Sequence, residues 1–295
     1  MLGRPPQPPE MKPPLFDYRS PSSLDEALAL RSEYSDDSAV LAGGQSLMPM
    51  LNLRLARPEV LIDLGRVAEL AGIRELDGGV SLGAMTRQRS AERSDLIRAR
   101  APLVQQALAH VGHPTIRNRG TVGGSLAHAD PAAELPAVCL ALDAEFVARK
   151  AGGERTIAAD DFYMGFMTTA LAPDELLVEV RIPAAAGTLG TAFVEIARRH
   201  GDFALVGVAA AIALDGDGLI NDARLVFTGV GLMPVRARDA EASLLGTSGD
   251  ADALATAADL VTGELQPRTD AHASGEYRRR VAGVLTRRAV AEAMP

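Results

Sequence analysis

At 295 residues the chain is long enough to bury a large core without staples, and its single cysteine, Cys139, excludes an internal disulfide framework or a multi-cysteine iron–sulfur site. A net charge of −8, 4% aromatic residues and no tryptophan argue against nucleic-acid binding. No apolar run reaches the roughly 18 residues of a membrane span, and the N-terminal MLGRPPQPPEMKPP lacks the apolar stretch of a secretory signal, so a cytoplasmic protein is expected.

Residues 1–14 are proline-rich and read as an extended arm, with Met11 a candidate start. In PSSLDEALAL, Ser23 followed three residues later by Glu26 is a capping signature, and Leu24, Ala27, Leu28 and Leu30 form the apolar face of a helix over 23–33. A strand at 39–42, a glycine-containing loop, a helix reaching 55 and the strand VLIDL at 60–64 complete a small β/α unit. Next come a strand at 80–84, helices at 86–92, 95–100 and 103–110, and a second glycine-containing loop. A helical stretch over 131–142 is kinked or restarted at Pro136. The strand AEFVAR follows, and ELLVEVRI at 175–182 alternates like an antiparallel strand until Pro183 ends it.

AAAGTLG at 184–190 reads as a connector and domain boundary. This gives a first domain over 15–183, with subdomains of about 15–68 and 69–183, and a second over 191–295. The second domain should hold strands at 191–197, 205–214 and 223–230, with Asp215-Gly216-Asp217-Gly218 as a hairpin turn, then helices at 236–245, 251–264 and 275–292. Strands followed by helices indicate an α+β domain.

The two glycine loops, AVLAGGQSLMPML at 39–51 and RNRGTVGGSLAHADPAAELPA at 117–137, share one grammar: a glycine pair followed by small hydroxyl donors. Neither is G-x-G-x-x-G nor G-x-x-x-x-G-K-[ST], which disfavours the standard Rossmann and P-loop sites. Lacking Cβ, glycines let successive N–H groups turn toward one anion, and Gln45, Ser46, Thr121 and Ser125 add side-chain donors. The plainer reading of a glycine pair is a tight turn between strand and helix. Two such loops, the second led by Arg117-Asn118-Arg119, favour a pyrophosphate gripped from two sides in a groove between subdomains.

Other signals are weaker. His110 and His113 are separated by Gly112 and followed by Pro114, so a helical ligand pair and a metal site are not expected. There is no G-x-S-x-G elbow, which makes Ser46 and Ser125 donors rather than nucleophiles. Cys139 lies in an apolar run and reads as a buried small hydrophobe. The basic run at 277–280, with Arg287 and Arg288, reads as a solvated helix face or a docking surface for an acidic partner.

LAGGQSLMPMLNLRLARPEVLIDL together with IRNRGTVGGSLAHADPAAELPA resembles the two FAD-binding segments of the medium, flavin-carrying subunit of the molybdenum hydroxylases, the xanthine dehydrogenase and carbon monoxide dehydrogenase family. The FDYRSPSSLDEAL start and GDFALVGVAAAI are similar to that family too, and the likeness covers residues 12–293. It implies an α+β fold: an FAD domain of two α+β subdomains, like those of vanillyl-alcohol-oxidase-type flavoproteins, plus a C-terminal α+β domain with a three-stranded antiparallel sheet and helices. By this resemblance Leu41, Ala42, Gly43, Gly44, Gln45, Ser46, Leu47 and Met48, with Thr121, Val122, Gly123, Gly124 and Ser125, wrap the FAD pyrophosphate. Glu134 stands where the family places an acidic residue, often Asp, that accepts hydrogen bonds from the cofactor. Val111 and Leu177 touch FAD through apolar or backbone atoms, and in RRHGDFAL Phe203 packs on the isoalloxazine while Arg198, Arg199 or Asp202 shapes its rim. A lysine found in some relatives near Val194 is absent.

The implied function is an electron-transfer subunit with FAD as its cofactor, taking electrons from the 2Fe–2S clusters of a small partner subunit and passing them to an external acceptor. A large partner would carry the molybdenum cofactor. A free-standing FAD-dependent oxidase or reductase of the same fold and a dinucleotide-binding regulatory protein are the alternatives.

Overall fold

The computed structural model describes residues 12–185 and 187–294, so most of the proline-rich arm expected at 1–14 lies outside the described residues. The chain begins with β1 (Asp17–Arg19), α1 (Leu24–Tyr34), β2 (Ser38–Leu41), α2 (Leu47–Asn52) and β3 (Val60–Asp63). The three strands form a parallel sheet in the order β1-β3-β2. Ser23 caps α1 by accepting from Glu26 N (3.2 Å), while the Glu26 carboxylate accepts from Ser22 N (2.8 Å), so the expected box closes one residue earlier than its simplest form. Parallel pairing puts the carboxyl ends of β2 and β3 on one edge, where open α/β sheets place their ligands, and the first glycine segment leaves from that edge.

The second unit contains β4 (Ile73–Leu76), β5 (Gly79–Gly83), α3 (Gln88–Glu92), α4 (Asp95–Arg100), α5 (Pro102–Leu108), α6 (Pro114–Arg119), α7 (Val122–His128) and α8 (Glu134–Ala141). It continues through β6 (Glu145–Lys150), β7 (Gly153–Ala158), α9 (Ala159–Phe162), β8 (Tyr163–Gly165), β9 (Thr168–Thr169) and β10 (Leu176–Ile182). Five strands make an antiparallel sheet, β4-β5-β10-β6-β7, and β8 pairs with β9. β4 and β7 went unread in the sequence; each closes a hairpin, through Asp77-Gly78 and Ala151-Gly152.

The helical stretch expected over 131–142 begins only at Glu134. Pro136 then occupies the first turn, where its missing N–H breaks no helical bond, so there is no kink.

The two faces of this sheet bury different partners. Phe146, Ala148, Val180 and Ile182 pack under the helices with Leu103, Leu108 and Leu126, whereas Val147, Leu176 and Val178 pack on Leu28, Ile62 and Leu64 of the first unit. A bulge between Leu177 and Glu179 lets Leu177 and Val180, three apart, share a face. Cys139 is fully enclosed and burial pushes its thiol up to about 12, the behaviour of an inert hydrophobe.

The remaining chain supplies β11 (Leu189–Ala197), β12 (Ala204–Leu214), β13 (Ile220–Thr228), β14 (Val235–Arg236), α10 (Arg238–Leu244), α11 (Ala251–Glu264) and α12 (Gly275–Ala293). The three expected strands form an antiparallel sheet, to which β14 adds a two-residue edge. On β12, Val206, Val208, Ala210 and Ile212 face the helices, while Ala209 joins Phe193 and Val226 in the core of the second unit. Further ties are Thr228 Oγ1 donating to the carbonyls of Pro131 and Ala133 (both 2.8 Å) and Gln106 donating to the Thr191 carbonyl (3.0 Å). In the basic run of α12, Arg278 is buried, not solvated. It donates to the carbonyls of Leu205 (2.5 Å) and Gly229 (2.9 Å) and pairs with Asp270 (2.7 Å).

Candidate functional site

The first glycine segment runs from the end of β2 into α2 as an open turn. Gly44 has φ +74°, a conformation L side chains rarely adopt. The turn is held by Met48 N donating to the Gly44 carbonyl (3.3 Å) and by the Gln45 amide donating to the Gly43 carbonyl (3.1 Å). The backbone N–H groups of Gly44, Gln45, Ser46 and Leu47 donate to no protein acceptor among the described residues, and Ser46 makes no capping bond with its hydroxyl. Four consecutive unengaged donors, three on half-buried residues, form a cradle for an anion.

The second segment is built differently. Gly123 and Gly124 are not in a loop; they form the first turn of α7, with Thr121 as its N-cap. Thr121 Oγ1 accepts from Gly124 N (3.0 Å), Val122 N donates to the Thr86 carbonyl (2.9 Å), Gly123 N to that of Ala84 (2.8 Å) and Ser125 N to that of Thr121 (3.2 Å). The backbone donors of Val122–Ser125 are therefore engaged internally, and the hydroxyls of Thr121 and Ser125 remain as side-chain donors. Glycine is needed here for close packing: a Cβ on Gly123 would lie 2.7 Å from the Ala84 carbonyl oxygen.

The two segments touch. A Cβ on Gly43 would sit 2.5 Å from the Arg119 carbonyl oxygen and 2.8 Å from Gly120 Cα, and one on Gly124 would sit 3.2 Å from Ala42 Cβ. The open turn thus lies against the start of α7, at the junction of the parallel and antiparallel sheets.

Arg117 is not part of this edge. It is buried, pairs with Glu92 (2.9 Å) and holds the carbonyls of Val111 (2.8 Å) and Gly112 (3.0 Å), so it shapes the Val111 turn; Arg119 is exposed.

Glu134 opens α8 and is buried, and its carboxyl accepts no side-chain hydrogen bond among the described residues. Burial, with added repulsion from Glu195 and Asp130, raises it to about 8. Leu177 points into the core with Val122 and Leu126, which leaves its backbone as the part that could face a ligand.

Asp202 and Phe203 lie on the turn between β11 and β12, Phe203 with 58% of its surface exposed. This turn rests on the Val111 loop, since a Cβ on Gly201 would lie 3.0 Å from the Gly112 carbonyl and from His113 Cε1.

Sequence reasoning missed Arg87 and Thr86, and weighed His110 only as a metal ligand beside His113. Arg87 pairs across an isolated β-bridge with Thr121, and its guanidinium donates to the Arg119 carbonyl. His110 Nδ1 stands 3.3 Å from the buried Glu195 carboxylate, whose Oε2 has no partner among the described residues. None of these carries a local signal, because each depends on pairing between distant segments.

A family model described as the FAD binding domain in molybdopterin dehydrogenase matches residues 14–185, and one described as the CO dehydrogenase flavoprotein C-terminal domain matches residues 191–293. The chain belongs to this molybdopterin dehydrogenase flavoprotein family. It is 42% identical to the 6-hydroxypseudooxynicotine dehydrogenase complex subunit alpha of Paenarthrobacter nicotinovorans, over 96% of each chain.

Among solved structures it is similar to a chain of the carbon monoxide dehydrogenase of Hydrogenophaga pseudoflava (TM-score 0.92, 40% identity, 95% of this chain and 98% of that one). Quinoline 2-oxidoreductase of Pseudomonas putida 86 gives a TM-score of 0.91 at 40% identity, covering 96% of this chain and 98% of that one.

For a flavoprotein of this family the donor set fits FAD. Unengaged N–H groups at Gly44–Leu47 suit a diphosphate, and the glycine backbones allow its close approach. No helix among the described residues is long and apolar enough to cross a membrane.

Proposed function

We propose that the chain is the FAD-carrying electron-transfer subunit of a cytoplasmic molybdenum-containing hydroxylase or dehydrogenase. It would take electrons from the 2Fe–2S clusters of a small partner subunit and pass them to an external acceptor, with the molybdenum cofactor on a large partner. The observation that carries this reading is the contact between the open turn at Gly43–Leu47 and the start of α7, with four unengaged backbone donors at their junction. The names of the relatives, a dehydrogenase complex subunit and a medium chain, support a multi-subunit assembly.

When bound, the isoalloxazine accepts electrons singly or in pairs, which suits a junction between one-electron clusters and a two-electron acceptor. The chain's own residues bind and orient. Gly44, Gln45, Ser46 and Leu47 donate backbone N–H groups to the diphosphate, flanked by Leu41, Ala42, Gly43 and Met48. Thr121 and Ser125 add hydroxyl donors, while Val122, Gly123 and Gly124 fix α7 against them.

Glu134, as a carboxylate, accepts hydrogen bonds from cofactor hydroxyls. Val111 and the backbone of Leu177 would touch the cofactor, and Asp202 and Phe203, from the domain that begins at about residue 191, would meet its ring. No general base is needed in this chain.

Copurification from the native source, with an absorbance spectrum and metal analysis, tests the assignment. A yellow-brown complex containing flavin, iron and molybdenum is expected. A chain that purifies alone with flavin and is reduced directly by a small substrate would overturn it in favour of a free-standing oxidase.

A further inference from the structure

The edge where the two glycine segments meet carries a cation that forms no ion pair among the described residues. Arg87, half-buried at the start of α3, donates from Nη1 to the Arg119 carbonyl, and that same oxygen is the atom against which Gly43 packs. One oxygen therefore fixes the guanidinium beside the turn whose four N–H groups are unengaged. No carboxylate lies within ion-pair distance of Arg87 or Arg119 among the described residues.

The acid nearest in influence is Asp63, which already accepts from the Tyr18 hydroxyl (2.6 Å) and from Gly65 N (2.8 Å). Burial and the neighbouring charge of Arg119 hold Arg87 below the usual arginine range, so an anion at this edge would relieve it. A groove of about 510 Å³ runs beside Arg87, lined also by Leu64, Gly65, Met85 and Ser90, on the side away from the two glycine segments, none of whose residues line it. If its role were only to hold one carbonyl, a neutral donor would suffice, without the cost of desolvating an unpaired charge.

We propose that Arg87, assisted by Arg119, is the cationic wall of the diphosphate site and sets the chain's preference for a flavin dinucleotide over flavins with one phosphate or none. This rests on the reading of the glycine segments as an FAD site. The backbone donors of the first segment would meet one side of the diphosphate and the planar guanidinium fork the other, in charge-assisted bonds.

The test is flavin and ADP binding to the full-length apoprotein, followed by flavin fluorescence and calorimetry. Arg87→Met should weaken FAD and ADP about tenfold or more, leave riboflavin unchanged, weaken FMN less than FAD, and flatten the salt dependence of FAD binding. Arg87→Lys should recover part of the loss. Arg119→Met, at an exposed position, should give a smaller loss of the same pattern, and it carries the comparison if Arg87→Met does not fold.

Unchanged FAD affinity, or an equal fall for riboflavin, would reduce Arg87 to a structural clamp and overturn the proposal. So would ADP binding additively to the FAD-loaded chain, since the guanidinium would then serve a separate ligand. Wild-type apoprotein that takes up neither FAD nor ADP would sink the FAD reading itself.

Discussion

The two glycine segments look alike on paper and differ in the fold. At Gly43–Leu47 the backbone bends through a positive φ and leaves its donors open, whereas at Thr121–Ser125 the same small residues begin a helix whose donors are engaged by Thr86, Ala84 and Thr121. Glycine serves conformation and ligand access in the first and tight packing in the second. One segment presents donors, and the other is a wall that holds them in place. Substitutions in the two should therefore fail in different ways.

The largest effect is expected at the open turn. Gly44→Val forces a β-branched residue into a left-handed conformation, costing at least about 1–2 kcal/mol of local strain, and places its Cβ 3.3 Å from Met48 Cγ. The turn should open and bring the N–H groups out of line, so the protein should purify folded with flavin content reduced at least about tenfold. Full flavin content by absorbance would refute the role given to this turn.

Glu134 extends the comparison to pH. Its buried carboxyl is raised to about 8 from an ordinary 4.5, so between those values the folded apoprotein holds a proton that the unfolded chain has lost. Apoprotein stability should then fall as pH rises from about 4.5 to 8 and level off above.

If Glu134 accepts hydrogen bonds from FAD as a carboxylate, binding below pH 8 releases a proton, and affinity should rise by up to about tenfold per pH unit until that point. Calorimetry in buffers of different ionisation enthalpy measures the proton. Glu134→Gln should abolish both dependences, and a pH-independent wild-type affinity would remove Glu134 from the cofactor.

Thr121→Val probes the wall. It deletes the oxygen that caps α7 and should cost about 1 kcal/mol, or a melting temperature lower by about 2–4 °C, with flavin affinity reduced less than in Gly44→Val. Flavin titrations should then separate the two variants far more widely than thermal melts do. If Thr121→Val loses flavin as completely as Gly44→Val, its hydroxyl matters to the cofactor as much as the open turn does, and the division between donors and wall breaks down.

That division was only half legible in the sequence. The cap at Ser23, the turn at Asp215–Gly218 and the long strands could be read because each depends on residues within a few positions of one another. The helical state of Gly123 and Gly124 could not, because Ala84 and Thr86, some forty residues away, decide it. β4 and β7 escaped for a related reason. Their strands are short, charged and exposed at sheet edges, so alternation is faint, although the Asp77-Gly78 turn was a usable hairpin signal. Arg117 and Arg119 stand two apart with the same charge, yet Glu92 buries one and leaves the other exposed. Local pattern gives the inventory of donors; long-range pairing decides which of them remain open.

Phe203 carries the smallest expected change. It is 58% exposed on a turn whose backbone already rests on Gly112 and His113, so truncation to alanine should alter stability by no more than about 0.5 kcal/mol. The glycine segments are untouched, so flavin content should stay at the wild-type level. What should change is the rate of flavin reduction through the intact complex, by a few-fold in stopped flow, because an aromatic face beside the isoalloxazine affects its exposure to water and its orientation. Equal rates in Phe203→Ala and wild type would separate the β11–β12 turn from the ring and confine the site to the two segments at the sheet junction.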